Sequence, residues 1–132
     1  MIGIDTNVLL RYLTQDDARQ SALAARFIDR QLTTADPGHV SLVVLAELLW
    51  VLATRFRASR AEMIAVVTEL LSDPRFAVQD ERAVWLAVEL AEKVVIDLPE
   101  ALIAFVNRTH GCERTVTFDV GASRIPGMTL LT

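Results

Sequence analysis

The sequence predicts an α/β fold with a central, mostly parallel sheet of four to five short strands flanked by helices. Short apolar runs of strand composition alternate along the chain with longer segments of helical periodicity. Turn-forming pairs such as Pro37-Gly38 and Pro126-Gly127 separate these segments. Strands that alternate with helices favour parallel pairing through right-handed crossovers.

In the first half of the chain, a short strand ends at Asp5 and is followed by two helices and a turn, over residues 8–13, 18–32 and 33–38. A strand over 39–42 then leads into a helix over 43–56. That helix is apolar on nearly every side, so we expect it to be central and buried. Ser59 and Glu62 have the spacing of a capping box, which predicts a further helix that ends near Leu71.

The second half continues the alternation between strands and helices. Asp97, Pro99 and Glu100 form the pattern of a helix start, and Gly111 that of a helix end. The predicted elements are a strand, two helices, a strand, a short helical turn and a last strand, over residues 76–78, 82–93, 98–110, 114–118, 120–124 and 128–131.

Length and composition narrow the class of protein. With 132 residues, the chain can form one hydrophobic core but not two, so we expect a single domain over residues 1–132. Hydrophobic residues make up 52% of it, which predicts an apolar face kept for a partner or a second copy. The longest apolar block, 42–53, is too short to span a bilayer, and no signal-peptide pattern opens the chain. A single cysteine, Cys112, fits a reducing compartment, so we expect a cytoplasmic protein without membrane contact.

The net charge of −4, taken over the whole chain, argues against a nucleic-acid partner. Five acidic residues are candidates for a metal site, and without them the remaining 12 acids face 13 bases, a balance of +1. Twelve of those bases are arginine, whose guanidinium suits bidentate contacts with phosphate. The charge therefore leaves a nucleic-acid substrate open. Three of the arginines, at positions 55, 57 and 60, are either a solvated face or a phosphate-tracking patch.

Two acidic residues follow directly on predicted strands. Asp5 ends the first strand and Asp119 ends the strand over 114–118. The carboxyl ends of parallel strands are where open α/β sheets bind ligands, which makes both residues site candidates. The alternative for Asp5 is that it only caps the helix that follows.

Three further carboxylates are candidates. Glu47 interrupts the apolar helix without a Lys or Arg within four residues, and Glu is rarely buried unpaired, so a functional role is favoured over a helix edge left in solvent. Asp97 and Glu100 are explained by capping alone, yet a helix N-terminus also holds carboxylates ionised and available.

Clustered carboxylates repel one another unless a cation joins them. Hard oxygen ligands favour Mg²⁺ or Mn²⁺, and no Cys/His group has zinc spacing. Such a metal can lower the pKa of a bound water and bridge phosphate oxygens, so hydrolysis of phosphodiester bonds is the expected reaction.

Four stretches of the chain, 1–13, 41–52, 97–104 and 117–119, resemble in order the four acidic blocks of PIN-domain ribonucleases, most closely the VapC-type toxins of toxin–antitoxin pairs. The resemblance implies an endoribonuclease that depends on Mg²⁺ or Mn²⁺, a PIN fold and an RNA substrate. It also implies a homodimer held inactive by a small VapB-type antitoxin.

The resemblance assigns roles residue by residue. The catalytic residues that it implies are Asp5, Glu47, Asp97, Glu100 and Asp119, and all of these except Glu47 would be metal ligands. Thr6 and Asn7 would support the site, and Arg11 would contact the substrate.

The chain departs from the family pattern at two places. Glu100 stands where the third block usually has Asp, and its side chain is one methylene longer, which would move or weaken the metal. Val120-Gly121 follow Asp119, where the family often has a polar or basic residue.

Other functions are open on the sequence. The first is a PIN domain without catalytic activity that serves as an RNA-binding or dimerisation module. A phosphatase with Asp5 as nucleophile would need an acid at position 7, where the chain has Asn. A metal-free ribonuclease would use His39 and His110 as base and acid.

Overall fold

Helices and short strands alternate from one end of the chain to the other. The computed structural model describes residues 1–132 and contains six α-helices and five strands. The helices are α1 (Thr6–Thr14), α2 (Ala18–Gln31), α3 (Leu42–Thr54), α4 (Arg60–Ser72), α5 (Glu81–Lys93) and α6 (Leu98–Thr109). The strands are β1 (Ile2–Gly3), β2 (Gly38–Val40), β3 (Phe76–Val78), β4 (Thr115–Thr117) and β5 (Met128–Leu130), and a 3-10 helix covers Ala122–Arg124. None of the helices combines the length and the apolar composition that a membrane crossing requires.

All of the strand pairs are parallel. One sheet has the order β1-β2-β3, with Gly38 paired to Ile2 on one side and to Phe76 on the other. The other sheet consists of β4 and β5. The predicted α/β fold with parallel strands is therefore confirmed, although the five strands are divided between two sheets rather than joined in one.

The chain forms two compact units, which we call the first and the second unit. The first consists of Met1–Ala58 and Glu69–Gln79 and contains the three-stranded sheet with α1, α2 and α3. The second consists of Ser59–Thr68 and Asp80–Thr132 and contains α5, α6 and the two-stranded sheet.

The core of the first unit is aliphatic. Helix α1 packs against α2 and α3, and the side chains most completely buried in this unit are Leu9, Leu10, Ile28, Val40, Leu45, Leu48, Leu49 and Leu70. Gly38 allows β2 to approach this core closely. A Cβ atom at Gly38 would lie 2.8 Å from Ile4 Cγ1 and 2.9 Å from Leu32 Cδ1, well inside the ordinary separation of carbon atoms.

In the second unit, α5 packs against α6 through small side chains. Ala83, Ala87 and Ala91 recur every four residues on α5 and are fully buried. Residues at this spacing share one helix face, so the alanines let the two helices approach closely.

Side-chain caps fix where several helices begin. Asp17 accepts a hydrogen bond from the Gln20 N–H at 2.9 Å, which starts α2. Ser59 Oγ accepts from the Glu62 N–H at 3.1 Å, and Glu62 accepts from the Ser59 N–H at 3.0 Å. The predicted capping box at the start of α4 is confirmed.

Helix α3 is not buried on every side, so that prediction was wrong. Its leucines face the core, but Val43 is 79% exposed and Trp50 is 66% exposed on the opposite side. A helix at the edge of a small unit can bury only one face. Sequence periodicity does not separate the two faces here because both are apolar.

Arg60 has a structural role rather than a place in a phosphate-tracking patch. Its Nη1 donates hydrogen bonds to the carbonyl oxygens of Ala91 at 2.6 Å and Val94 at 3.0 Å. These carbonyls lie at the C-terminus of α5, where an arginine satisfies unpaired acceptors and favours the helix dipole.

A cluster around Arg75 joins three parts of the first unit. Its guanidinium donates to Asp73 and to Asp29, each at 2.8 Å, and to the Tyr12 hydroxyl at 3.2 Å. These partners lie before β3, on α2 and on α1. The hydrogen bonds from Arg75 lower the pKa of the Asp73 carboxyl, and those to Asp73 raise the pKa of Arg75.

We expect Arg75→Met to lower the free energy of unfolding by about 1 to 2 kcal/mol, because charge-assisted hydrogen bonds on a partly buried pair are lost. Since the pKa of Asp73 is lowered in the folded state, its contribution is present above the pKa of unfolded aspartate, about 3.9, and is lost as the pH falls through the folded value. Urea unfolding at pH 7 and pH 3 measures both effects. Arg26→Met, at an exposed position of α2, is the matched control. Equal losses for the two variants would contradict the role of the cluster.

Candidate functional site

Asp5 lies two residues beyond the end of β1 and leaves its carboxylate free of hydrogen bonds. Ile4 is buried, whereas Asp5 is exposed. Asp5 occupies the N-cap position of α1, but its side chain makes no capping hydrogen bond. The alternative that Asp5 serves only as a helix cap was therefore wrong, and its carboxylate is available to a ligand.

The two residues after Asp5 differ in environment. Thr6 is 3% exposed, and its hydroxyl oxygen has no hydrogen-bond partner. A buried hydroxyl without a partner is costly, so it needs an explanation such as a supporting role in a site. Asn7 is exposed. Together with Asp5, these residues place side-chain oxygen atoms without hydrogen-bond partners at the N-terminus of α1, and their supporting role remains a prediction.

A pocket of about 470 Å³ lies between α1 and α2, with Asp5 in its lining. Its other lining residues are Gly3, Ile4, Asn7, Val8, Arg11, Gln20, Leu23, Ala24 and Phe27. The sequence predicted both helices but gave no sign of this pocket. Most of its residues are ordinary members of two amphipathic helices, and only the packing of α1 on α2 brings them together.

Arg11 lines this pocket and is already paired. Its Nη1 donates to both carboxylate oxygens of Asp16 at 3.1 Å, and its Nε donates to Gln20 Oε1 at 2.7 Å. Asp16 therefore offsets the charge of the guanidinium. The substrate contact expected of Arg11 remains a hypothesis. Any such contact would be made by a guanidinium that is already paired with Asp16.

Glu47 is exposed on α3 and makes no hydrogen bond or ion pair within the chain. It lies on the same exposed side as Val43 and Trp50. The expectation of a buried glutamate that needs a partner was wrong, because the helix leaves this edge in solvent. The catalytic role of Glu47 therefore depends on the family resemblance alone.

In the second unit, Asp97 is the N-cap of α6. Its Oδ1 accepts a hydrogen bond from the Glu100 N–H at 3.3 Å. The reciprocal bond from the Asp97 N–H to the Glu100 carboxylate is not made, so only half of the predicted capping box forms. The Glu100 carboxylate is thus left without a hydrogen-bond donor.

Asp119 follows β4 and is held in a tight turn. Thr117 Oγ1 accepts from the Asp119 N–H at 3.0 Å, and Asp119 Oδ1 accepts from the Ala122 N–H at 2.9 Å. Gly121 gives this carboxylate room, because a Cβ there would lie 3.1 Å from Asp119 Oδ1. The glycine that departs from the family pattern therefore accommodates the acidic side chain.

The negative charges of Asp97 and Asp119 act on the carboxyl group of Glu100. Burial raises the pKa of Glu100, and the negative charges of Asp97 and Asp119 raise it further. Unrelieved repulsion of this kind is typical of functional sites and favours a bound cation. Three of the five acidic residues singled out in the sequence therefore lie close enough in the second unit for two of them to affect the pKa of the third.

The donors of this cluster match a hard divalent cation in chemistry, since all of them are carboxylate oxygens. No group of three or more His, Cys, Asp or Glu side chains is yet arranged to hold a metal ion. The cluster therefore fits a divalent cation in the type and the charge of its side chains, but not in their arrangement.

His110 contacts an acidic residue of its own unit. His110 Nε2 is 2.9 Å from Asp80 Oδ2, a contact between the C-terminus of α6 and the residue before α5. His39 lies within β2 in the first unit, and His110 belongs to the second. The sequence did not reveal this contact, which links the end of α6 to the start of α5.

The comparison with protein families gives one match. The model described as the PIN domain matches residues 2–128, a range that includes all five acidic residues. A comparison with curated proteins finds no match.

The two N-cap aspartates of α1 and α2 provide a test of the free carboxylate. We expect Asp17→Ala, which removes a capping hydrogen bond, to lower the free energy of unfolding by about 1 kcal/mol. Asp5→Ala removes no such bond and should cost at most half as much. Urea unfolding of the two variants and the wild type measures this difference. A loss for Asp5→Ala as large as that for Asp17→Ala would restore the capping role.

Proposed function

Since the chain belongs to the PIN-domain family, we propose that it is an endoribonuclease that depends on a divalent metal and acts as the toxin of a VapC-type toxin–antitoxin pair. PIN domains are generally nuclease modules, and PIN nucleases act on RNA. The metal dependence, the toxin role and the residues of the site are the proposed part.

The observation that carries the proposal is the match of the PIN-domain model to residues 2–128, which include all five acidic residues. The raised pKa of Glu100, caused by burial and then by the charges of Asp97 and Asp119, supports it. A chain that gathers three carboxylates without a neutralising base loses stability, unless a cation joins them. Function explains such an arrangement better than folding does.

The proposed metal is Mg²⁺ or Mn²⁺, held by Asp97, Glu100 and Asp119, with Asp5 as a fourth ligand from its block in the family pattern. When bound, it would lower the pKa of a water molecule and stabilise negative charge on a phosphate. Glu47 is proposed as a catalytic residue on the resemblance alone.

The protein's own contribution is to orient these carboxylates. Asp97 and Asp119 each use one oxygen to accept a backbone N–H and keep the other oxygen free. Fixed carboxylates of this kind lose little conformational entropy when they bind a ligand. The free Asp5 carboxylate and the unpartnered Thr6 hydroxyl support a similar role in the first unit.

The exposed apolar surface supports the proposed partners. Val43 and Trp50 form an exposed apolar face on α3, and Phe118 and Val120 flank Asp119 with exposures of 80% and 63%. Exposed large apolar side chains in such numbers favour protein contacts. We assign the α3 face to a homodimer and propose a small VapB-type antitoxin as the second partner.

A PIN domain without catalytic activity, kept as an RNA-binding or dimerisation module, is the second candidate. One observation favours it, which is that no group of three acidic side chains is arranged to hold a metal. Glu100, with its longer side chain in place of the usual Asp, is consistent with this alternative.

Cleavage of single-stranded RNA by the purified protein separates the two candidates. We expect cleavage with Mn²⁺ or Mg²⁺, its loss in EDTA, and a fall in kcat of at least about 100-fold for Asp119→Asn. Asp17→Asn, which keeps a good N-cap, is the matched control and should retain activity. No cleavage under any metal condition would decide for the inactive module. Activity that survives EDTA and is lost in His110→Gln would decide for histidine catalysis.

The dimer proposal has its own test. We expect Trp50→Glu to convert a dimer into a monomer, because a charge on a buried apolar interface is costly. Light scattering after size-exclusion chromatography measures the mass. Val95→Glu, at an apolar position that is even more exposed, is the control and should remain dimeric. A wild-type monomer, or a dimer that withstands Trp50→Glu, would refute the assignment of the α3 face.

A further inference from the structure

We propose that the pocket between α1 and α2 binds a single unpaired nucleobase of the RNA substrate, with a preference for guanine. The pocket lies within the first unit and has Asp5 in its lining, so a base bound there would lie beside one of the proposed metal ligands. This inference rests on the proposed function and adds a specificity subsite to it.

The size and the walls of the pocket suit a flat aromatic ring. Its volume of about 470 Å³ is in the range of small-molecule sites. Val8, Leu23, Ala24 and Phe27 make the walls mostly apolar. Leu23 is 50% exposed and Phe27 is half-buried, so both have surface left to cover. Stacking on an aromatic side chain is the usual way in which proteins hold an unpaired base.

The polar groups of Arg11 and Gln20 supply the preference. Because Gln20 Oε1 accepts from Arg11 Nε, the orientation of the amide is fixed by this hydrogen bond, and its Nε2 remains as a donor. Arg11 Nη1 is bound to Asp16, whereas Nη2 makes no hydrogen bond in the chain. The two side chains therefore offer two donor groups, Arg11 Nη2 and Gln20 Nε2, that no acceptor of the chain occupies.

Guanine has the matching edge. Its O6 and N7 are adjacent acceptors, whereas adenine presents a donor beside N7. The donors of Arg11 and Gln20 thus complement O6 and N7 of guanine, whereas adenine bound in the same pose would place its N6 amino group against one of these donors. An unpaired polar group of this kind is what makes hydrogen-bonded sites selective.

The charges of the pocket argue against a phosphate as the occupant. The guanidinium of Arg11 is offset by Asp16, and Asp5 adds a negative charge to the lining. A neutral base carries no such repulsion. An apolar peptide would fill the same walls, but it would leave the donors of Arg11 and Gln20 unused.

The test measures nucleotide binding without any cleavage, by following ¹⁵N-labelled protein by NMR during titration with GMP, AMP, CMP and UMP in EDTA. We expect GMP to shift resonances of α1 and α2 and to bind about tenfold more tightly than AMP. Gln20→Glu keeps the acceptor for Arg11 and removes the donor, so it should reduce this preference at least about threefold. Gln31→Glu makes the same chemical change at an exposed position of α2 outside the pocket and should leave the preference intact.

Phe27→Leu tests the stacking separately. This substitution should weaken the binding of all four nucleotides about tenfold and leave the order of their affinities unchanged. Thermal unfolding of each variant shows whether it is folded. Gln20 is exposed, so Gln20→Glu leaves the hydrophobic core unchanged.

Equal binding of the four nucleotides, or a preference unaffected by Gln20→Glu, would overturn the proposal. Shifts in α1 and α2 caused by N-acetyl-leucyl-leucine amide and by none of the nucleotides would overturn it in favour of a protein partner. The two proposals fail in different ways. RNA cleavage without guanine preference leaves the nuclease intact and removes the subsite, whereas GMP binding without any RNA cleavage removes only the nuclease.

Discussion

The repulsion among the carboxylates of Asp97, Glu100 and Asp119 is the constraint on which the functional interpretation depends. Burial and two neighbouring negative charges raise the pKa of Glu100, and no base of the chain neutralises the group by an ion pair. The chain tolerates the repulsion because backbone N–H groups donate hydrogen bonds to two of the carboxylates, to Asp97 at the start of α6 and to Asp119 in the turn after β4. The same donors that make the cluster compatible with folding also fix its geometry.

The contrast with the basic residues supports this view. Arg11, Arg60 and Arg75 are each held by acceptors of the chain, through Asp16, through the carbonyls at the end of α5, and through Asp73 with Asp29. Their charges are used to build the structure. The acidic residues of the proposed site are instead left without cationic partners, which is the expected state of ligands that await a cation.

Much of the fold could be predicted from the sequence because its signals are local. The limits of β3 and the start of α2 were predicted to the residue, and Ser59 with Glu62 forms the expected capping box. Capping, turn chemistry and strand composition act over a few residues, so a short stretch of sequence contains all of the information. The acidic residues after β1 and β4 were identified in the same way, from the end of an apolar run.

The sequence by itself determined the order and the type of the elements, the family and the identity of the acidic candidates. Only the tertiary structure decided which faces are buried, and it placed Glu47 in solvent, bound Arg60 to the end of α5, and left the carboxylate of Asp5 free of a capping bond. It also created the pocket between α1 and α2, which no sequence motif predicts. The physical reason is the separation along the chain over which each effect acts. Hydrogen-bonding and turn preferences are set by neighbours in sequence, whereas burial and the field at a carboxylate are set by residues that meet only when distant segments pack.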